Sequence, residues 1–233
     1  MNNLKGTLKK GIILVLILAV PGFLYYLLTV KGKNRYKPLP FYGPKIVAKT
    51  GHKFHGKYIP DTIYHKLDDF KLIDQNGHPV SFKTFQGKIF IASFFYTHCP
   101  TVCNEVNKHL DSLVSAYVKN RMVKFITITV DPNRDTPDAL KQYAQKYKKP
   151  DSKWLFATGD TTTIYNLARK GFLVNAARAG DDFIYDNNLI LIDQDKRIRG
   201  YYTGTSPVEV SRLNDEIKVQ IAEELRKIKA PEL

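Results

Sequence analysis

The period of the apolar positions changes along this chain in a way that marks out its elements. Phe90-Ile91-Ala92-Ser93-Phe94-Phe95 is an apolar run of strand length, the pattern of a strand covered on both faces. A polar turn follows, and then Val102, Val106, Leu110, Leu113, Val114 and Tyr117 recur at threes and fours, the spacing of one buried helix face. Upstream, 70–74 and 79–82 flank Gln75-Asn76-Gly77-His78, and Asn-Gly between apolar runs predicts a hairpin. Downstream, 123–130 alternates and is β-branched, predicting another strand. Thr136-Pro137-Asp138 opens a helix that Pro150 stops, and Trp154-Leu155-Phe156-Ala157 reads as a short strand. Asp160 is placed to cap a helix over 161–170 that Gly171 ends. Residues 189–193 and 197–203 read as paired strands, and Ser206-Pro207-Val208-Glu209 starts a final helix reaching about residue 228. Strands alternating with helices predict an α/β fold with a mostly parallel central sheet, helices on both faces and an antiparallel edge.

Before this pattern begins, the chain has a different character. Residues 11–30 hold no charge over twenty positions, enough to cross a hydrocarbon core of roughly 30 Å. Pro21-Gly22 interrupts that stretch, as membrane helices tolerate, and Tyr25 and Tyr26 suit an interface. Ala19-Val20-Pro21 makes a poor signal-peptidase site, so the run is read as an uncleaved anchor. The predicted division is a basic segment over 1–10, a transmembrane helix over 11–30, a Lys-, Pro- and Gly-rich stalk over 31–58 and a folded domain over 59–233. Lysines and arginine crowd the positions after the span, which by the positive-inside rule points that side to the cytoplasm. The thiol chemistry below points the domain to the outer face instead, and it is given the greater weight.

Charge narrows the function classes. The first 60 residues carry eleven Lys or Arg and no Asp or Glu, leaving 25 basic against 22 acidic residues in the remainder. The domain is therefore nearly neutral, which argues against a nucleic-acid partner, since phosphate binding needs a clustered basic face.

The candidate chemistry lies in the turn after the central strand, where Cys99 and Cys103 are the chain's only cysteines. At a strand-to-helix junction, unpaired backbone N–H groups and the helix dipole favour negative charge and so favour thiolate. Thiolate attacks disulfides and binds soft metals. Two cysteines buried merely as small apolar side chains, or closing a structural disulfide, are the blander readings. A loop this short gains little from a structural disulfide, so chemistry is preferred.

Phe94-Phe95-Tyr96-Thr97-His98-Cys99-Pro100-Thr101-Val102-Cys103, followed by Thr129-Val130-Asp131-Pro132-Asn133-Arg134-Asp135-Thr136-Pro137, resembles the Sco/SenC family. Its members are membrane-anchored, thioredoxin-fold copper chaperones and thiol–disulfide proteins of cytochrome c oxidase assembly. The resemblance covers roughly residues 59–225. It implies that Cys99 and Cys103 form a redox pair or hold copper, with the copper-site subunit of cytochrome c oxidase, or another redox or copper protein, as partner. It also implies a third copper ligand, a histidine just upstream of the 189–193 strand. The six histidines here are His52, His55, His65, His78, His98 and His109, so that place falls in Tyr185-Asp186-Asn187, with Tyr185 the best match. Phenol and carboxylate oxygens are hard ligands, poorly suited to Cu(I). His98 adjoins Cys99, His109 faces round the helix from Cys103, and His52 and His55 sit in the predicted stalk, so none is a ready substitute.

The preferred function is accordingly a membrane-tethered thiol–disulfide oxidoreductase or copper carrier of this type. The Thr97-x-Cys99 element also resembles peroxiredoxins, whose cysteine passes through a sulfenic acid, but Cys103 lies unusually close for that. A general thioredoxin-like oxidoreductase would place a proline before the late strands, and none lies between Pro150 and Pro207. A non-catalytic assembly partner is the remaining alternative.

Overall fold

A computed structural model describes residues 2–27, 38–99, 101–180 and 182–229. Contacts divide the chain into two units, 1–37 and 38–233. The first contains helix α1 (Asn2–Tyr26), whose residues from Ile13 to Leu18 are all at least half exposed. Among the described residues no helix is long and apolar enough to cross a membrane. The end of the predicted span, 28–30, and the start of the predicted stalk, 31–37, lie outside the described residues.

The second unit is built on a seven-stranded sheet. In chain order its strands are β3 (Leu72–Asp74), β4 (Pro79–Val80), β5 (Ile89–Phe95), β6 (Val123–Thr129), β7 (Trp154–Thr158), β10 (Asn188–Ile192) and β11 (Ile198–Thr203). In space they run β11-β10-β5-β6-β7-β3-β4. Only the β5–β6 and β6–β7 pairings are parallel; the other four are antiparallel. The sheet is therefore mixed rather than mostly parallel. The tight turns after β3 and β10 return the chain at once and force antiparallel pairing, whereas parallel neighbours need helical crossovers.

Alternation within the strands sends side chains to two cores. Ile89, Ile91, Phe95, Phe125 and Leu191 pack with helices α2 (Val102–Tyr117), α3 (Pro137–Ala144) and α5 (Pro207–Lys229). Phe90, Ala92, Phe94, Ile126 and Ile190 pack on the other face with Phe82, Phe85 and helix α4 (Thr161–Asn166), which a five-residue π turn, Leu167–Gly171, extends. All seven residues of β5 are buried, as the unbroken apolar run predicts. Local signals hold as well. The Asp74 carboxylate accepts from the backbone of Asn76 and His78 at 2.8 Å in the Asn-Gly turn, and Asp160 accepts from Thr163 N–H at 2.9 Å. One expected core position differs: Val102 is 43 % exposed, and Cys103 takes its place at the head of the buried face of α2.

Strands β1 (Lys45–Phe54) and β2 (Lys57–Tyr64) form an antiparallel hairpin across the boundary expected near residue 58. Residues 45–57 of the predicted stalk therefore carry strand structure, and the second compact unit spans 38–233. The hairpin closes through His55 and Gly56, both at positive φ, the backbone that a two-residue turn needs to match strand twist. Ahead of it, Arg199 donates to the carbonyls of Leu39 at 2.6 Å and Pro40 at 3.2 Å, and Leu39 N–H donates to Glu223 at 2.7 Å. A buried guanidinium with Asp193 and Glu223 beside it thus fastens residues 39–40 to β11 and α5.

Candidate functional site

Strand β5 ends at Phe95 and α2 begins at Val102, so the connecting turn opens at the carboxyl end of a central strand, where open α/β sheets place their sites. Within it Cys99 and Cys103 are joined by a disulfide, with Cα atoms 5.9 Å apart. The two sulfurs are thus brought together. Both residues are buried, Cys99 being 8 % exposed and Cys103 2 %, which leaves Cys99 the more accessible of the two.

Asp135 holds the turn. Its carboxylate, fully buried, accepts from Thr97 N–H at 3.0 Å, from the Thr97 hydroxyl, and from the Thr129 hydroxyl at the end of β6. Asp131 N–H donates to Thr129 Oγ1 at 3.0 Å. The two motifs noticed separately in the sequence, Thr97-His98-Cys99 and Asp131 to Pro137, are therefore one hydrogen-bonded assembly. The carboxylate satisfies the buried Thr129 hydroxyl, which would otherwise cost about 1–3 kcal/mol, and both donors of half-buried Thr97. Its linking role was invisible in sequence because it depends on β5 and β6 lying side by side.

Above the disulfide stands an unpredicted hairpin, β8 (Ala176–Ala179) with β9 (Asp182–Tyr185). It brings the Tyr185 hydroxyl to 2.7 Å from Cys103 Sγ and 3.3 Å from Cys99 Sγ. Burial pushes the Tyr185 phenol well above its ordinary pKa, and the neighbouring Tyr96 adds to that. The Tyr96 ring meets Tyr185 edge-on at 6.0 Å and Phe183 at 5.1 Å, while its hydroxyl donates to Asp182 at 2.6 Å. Burial and then that bond push Tyr96 up to about 12, and the same bond holds Asp182 below its usual carboxylate range. The contact of Tyr96 with Asp182 was not read from the sequence, where Tyr96 figured only within the motif from Phe94 to Cys103.

The histidines are elsewhere engaged. His98 Nδ1 is 3.1 Å from the Thr97 hydroxyl, His109 donates to the Gly204 carbonyl at 2.7 Å, and His65 to that of Gly171 at 2.7 Å. His52 pairs with Asp61 and His78 with Asp74. Among the described residues no cluster of three or more His, Cys, Asp or Glu side chains could hold a metal. Asp186, the neighbour of Tyr185, accepts instead from Asn175 N–H at 2.9 Å.

A mixed sheet flanked by helices, with a cysteine pair at the strand-to-helix turn of its central strand, defines a thioredoxin-like protein. The SCO1/SenC family model matches residues 62–221, and the chain belongs to that family. It is 27% identical over 167 residues to a SCO1 protein homolog of Bacillus subtilis, covering 70% of this chain and 86% of the relative. Among solved structures it resembles BsSco, described as carrying a disulfide switch and as a member of the Sco family of cytochrome c oxidase assembly proteins. The identity is 27% with a TM-score of 0.59, covering 66% of this chain and 91% of that one. It also resembles copper-bound ScoI of Bradyrhizobium japonicum, with 29% identity and a TM-score of 0.55 over 65% of this chain and 99% of that one.

Proposed function

We propose that the chain is a membrane-tethered thiol–disulfide exchange protein of the Sco type, acting on a disulfide of a copper-site partner such as an oxidase subunit. The observation that carries this reading is the Cys99–Cys103 disulfide at the carboxyl end of β5. In the reduced protein, Cys99, the more exposed residue, attacks the partner disulfide, and Cys103 resolves the mixed disulfide. The name and description of BsSco, with its disulfide switch, support the same use of this fold.

Copper handling is the second reading, favoured by two sulfurs close enough to share one ion and by the copper-bound relative. The donor set argues for a modest role. Tyr185 stands over the sulfurs at the position the family resemblance gives to histidine, and its oxygen is a hard ligand in a site that Cu(I) would enter through sulfur. The reduced pair would take Cu(I) as cargo in two-sulfur coordination, without a tightly held third ligand.

The tether is residues 11–30, with the folded domain outside the cytoplasm. Support comes from the charge-free apolar stretch, from exposed apolar side chains along α1, and from the oxidising compartment that a persistent disulfide prefers. Two measurements on the full chain in detergent test the whole reading. The first is Cu(I) titration of the reduced protein beside Cys99→Ser and Cys103→Ser, and the second is the dithiol reduction potential. Weak copper binding with a potential near about −270 mV or below favours exchange. Tight stoichiometric binding that each serine abolishes favours carriage, and an indifferent response to both substitutions rejects both readings.

A further inference from the structure

A disulfide has no S–H, so of the three atoms that meet at this site only the Tyr185 hydroxyl can donate a hydrogen bond. It does not treat the sulfurs alike. Cys103 Sγ lies 2.7 Å from it, while Cys99 Sγ lies 3.3 Å away and accepts also from Cys103 N–H at 3.2 Å. Cys99 is the more exposed of the pair and Cys103 the deeper. An incoming nucleophile therefore meets Cys99 first, and the sulfur displaced is the one under the phenol.

Resting on the exchange reading above, we propose that Tyr185 is a catalytic hydrogen-bond donor to the leaving sulfur when this disulfide is reopened by a dithiol reductant. A thiolate of the reductant attacks Cys99 Sγ and forms a mixed disulfide with it. The Cys99–Cys103 bond breaks, and its electron pair stays on Cys103 Sγ. The second thiol of the reductant loses its proton and displaces Cys99, so the reductant leaves as a disulfide and its two protons end on Cys99 and Cys103. A neutral disulfide sulfur is a weak acceptor and a thiolate a strong one, so the Tyr185 contact strengthens as the bond breaks. A donor already aimed at the atom where charge develops needs no reorganisation. Position comes from the backbone: Tyr185 closes β9 opposite Ala176, and β10, which starts three residues later, is paired to β5.

The test is Tyr185→Phe in the full chain in detergent, which keeps the ring over the disulfide and removes only the oxygen. Reduction by dithiothreitol should slow about tenfold or more, the consequence of losing one hydrogen bond to a charged acceptor. The dithiol–disulfide equilibrium should move much less than the rate, because once both protons are in place the sulfur under the phenol is neutral on either side. Were Tyr185 only a cover, loosening its contact would speed reduction. An unchanged or faster rate, with thermal unfolding near wild type, overturns the donor role while leaving exchange intact. A wild-type disulfide that dithiothreitol cannot open overturns the exchange reading and this inference with it. Should Tyr185→Phe unfold, the equilibrium and rate in Tyr185→Trp, whose N–H is a displaced donor, take its place: a rate equal to wild type overturns the proposal, and a slowed rate supports it.

Discussion

The turn bearing the sulfurs and the hairpin standing over them touch, yet they are held by different forces. The start of the turn, at Thr97, is fixed from below by Asp135, fully buried and accepting from two threonines. The β8–β9 hairpin alternates exposed and half-buried positions along β9, and its hold on the turn is the Tyr96–Asp182 bond together with the rings of Tyr96, Phe183 and Tyr185. One region is set by buried polar geometry and the other by aromatic packing of half-buried rings. Sulfur positions are thus set by the core, while the group that covers them comes from a separate hairpin held through ring contacts and one charged hydrogen bond.

Breaking the core side should have the largest effect. Cys99→Ser is expected to abolish exchange with a partner disulfide outright, and Cys103→Ser to arrest it as a trapped mixed disulfide that non-reducing electrophoresis would reveal. A Cys103→Ser protein that still turns over would contradict the two-cysteine scheme. Next comes Asp135→Ala, which strands the Thr97 N–H and both threonine hydroxyls and should cost about 3 kcal/mol or more. Urea unfolding measures this, and a loss below about 1 kcal/mol would mean that the turn does not depend on Asp135.

The hairpin side should respond locally and to pH. The depressed pKa of Asp182 means its contribution is complete above the ordinary carboxylate range and disappears as acid carries the solution through the lowered value. Tyr96, raised to about 12 from 10.0, contributes fully below 10.0 and loses that contribution as pH climbs toward 12. Hydrogen exchange of the 183–185 amides, corrected for intrinsic rates, should therefore show greatest protection between these limits. Asp182→Asn should remove the acid limb and leave the global unfolding midpoint nearly unchanged. If the global midpoint fell with it, the hairpin would have to be counted part of the core.

How much could be read beforehand follows the same division. The β5–α2 junction was legible because an unbroken apolar run gives way to a 3.6 period there, and Asp74, Asp160 and Gly77 act within a few residues of themselves. The β1–β2 hairpin was hidden by lysines, prolines and glycines that look like spacer. His55-Gly56 between Phe54 and Lys57 was the signal available, and Ile59, Thr62 and Ile63 its supporting strand residues. The β8–β9 hairpin has short strands that lean on Tyr96, a residue 86 positions from Asp182. Asp135 and Tyr185 gain their meaning only through neighbours brought in by the sheet. Tyr185 was reachable by resemblance alone, which gave its place but not its contacts.

The register between β10 and β5, Ile190 opposite Ala92 and Leu191 opposite Ile91, has one more consequence. Because β10 starts three residues after Tyr185 and is zipped to β5, the height of the phenol over the sulfurs is set from the sheet side of the hairpin. The distance of that oxygen from the disulfide is thus inherited from the pairing of two buried strands.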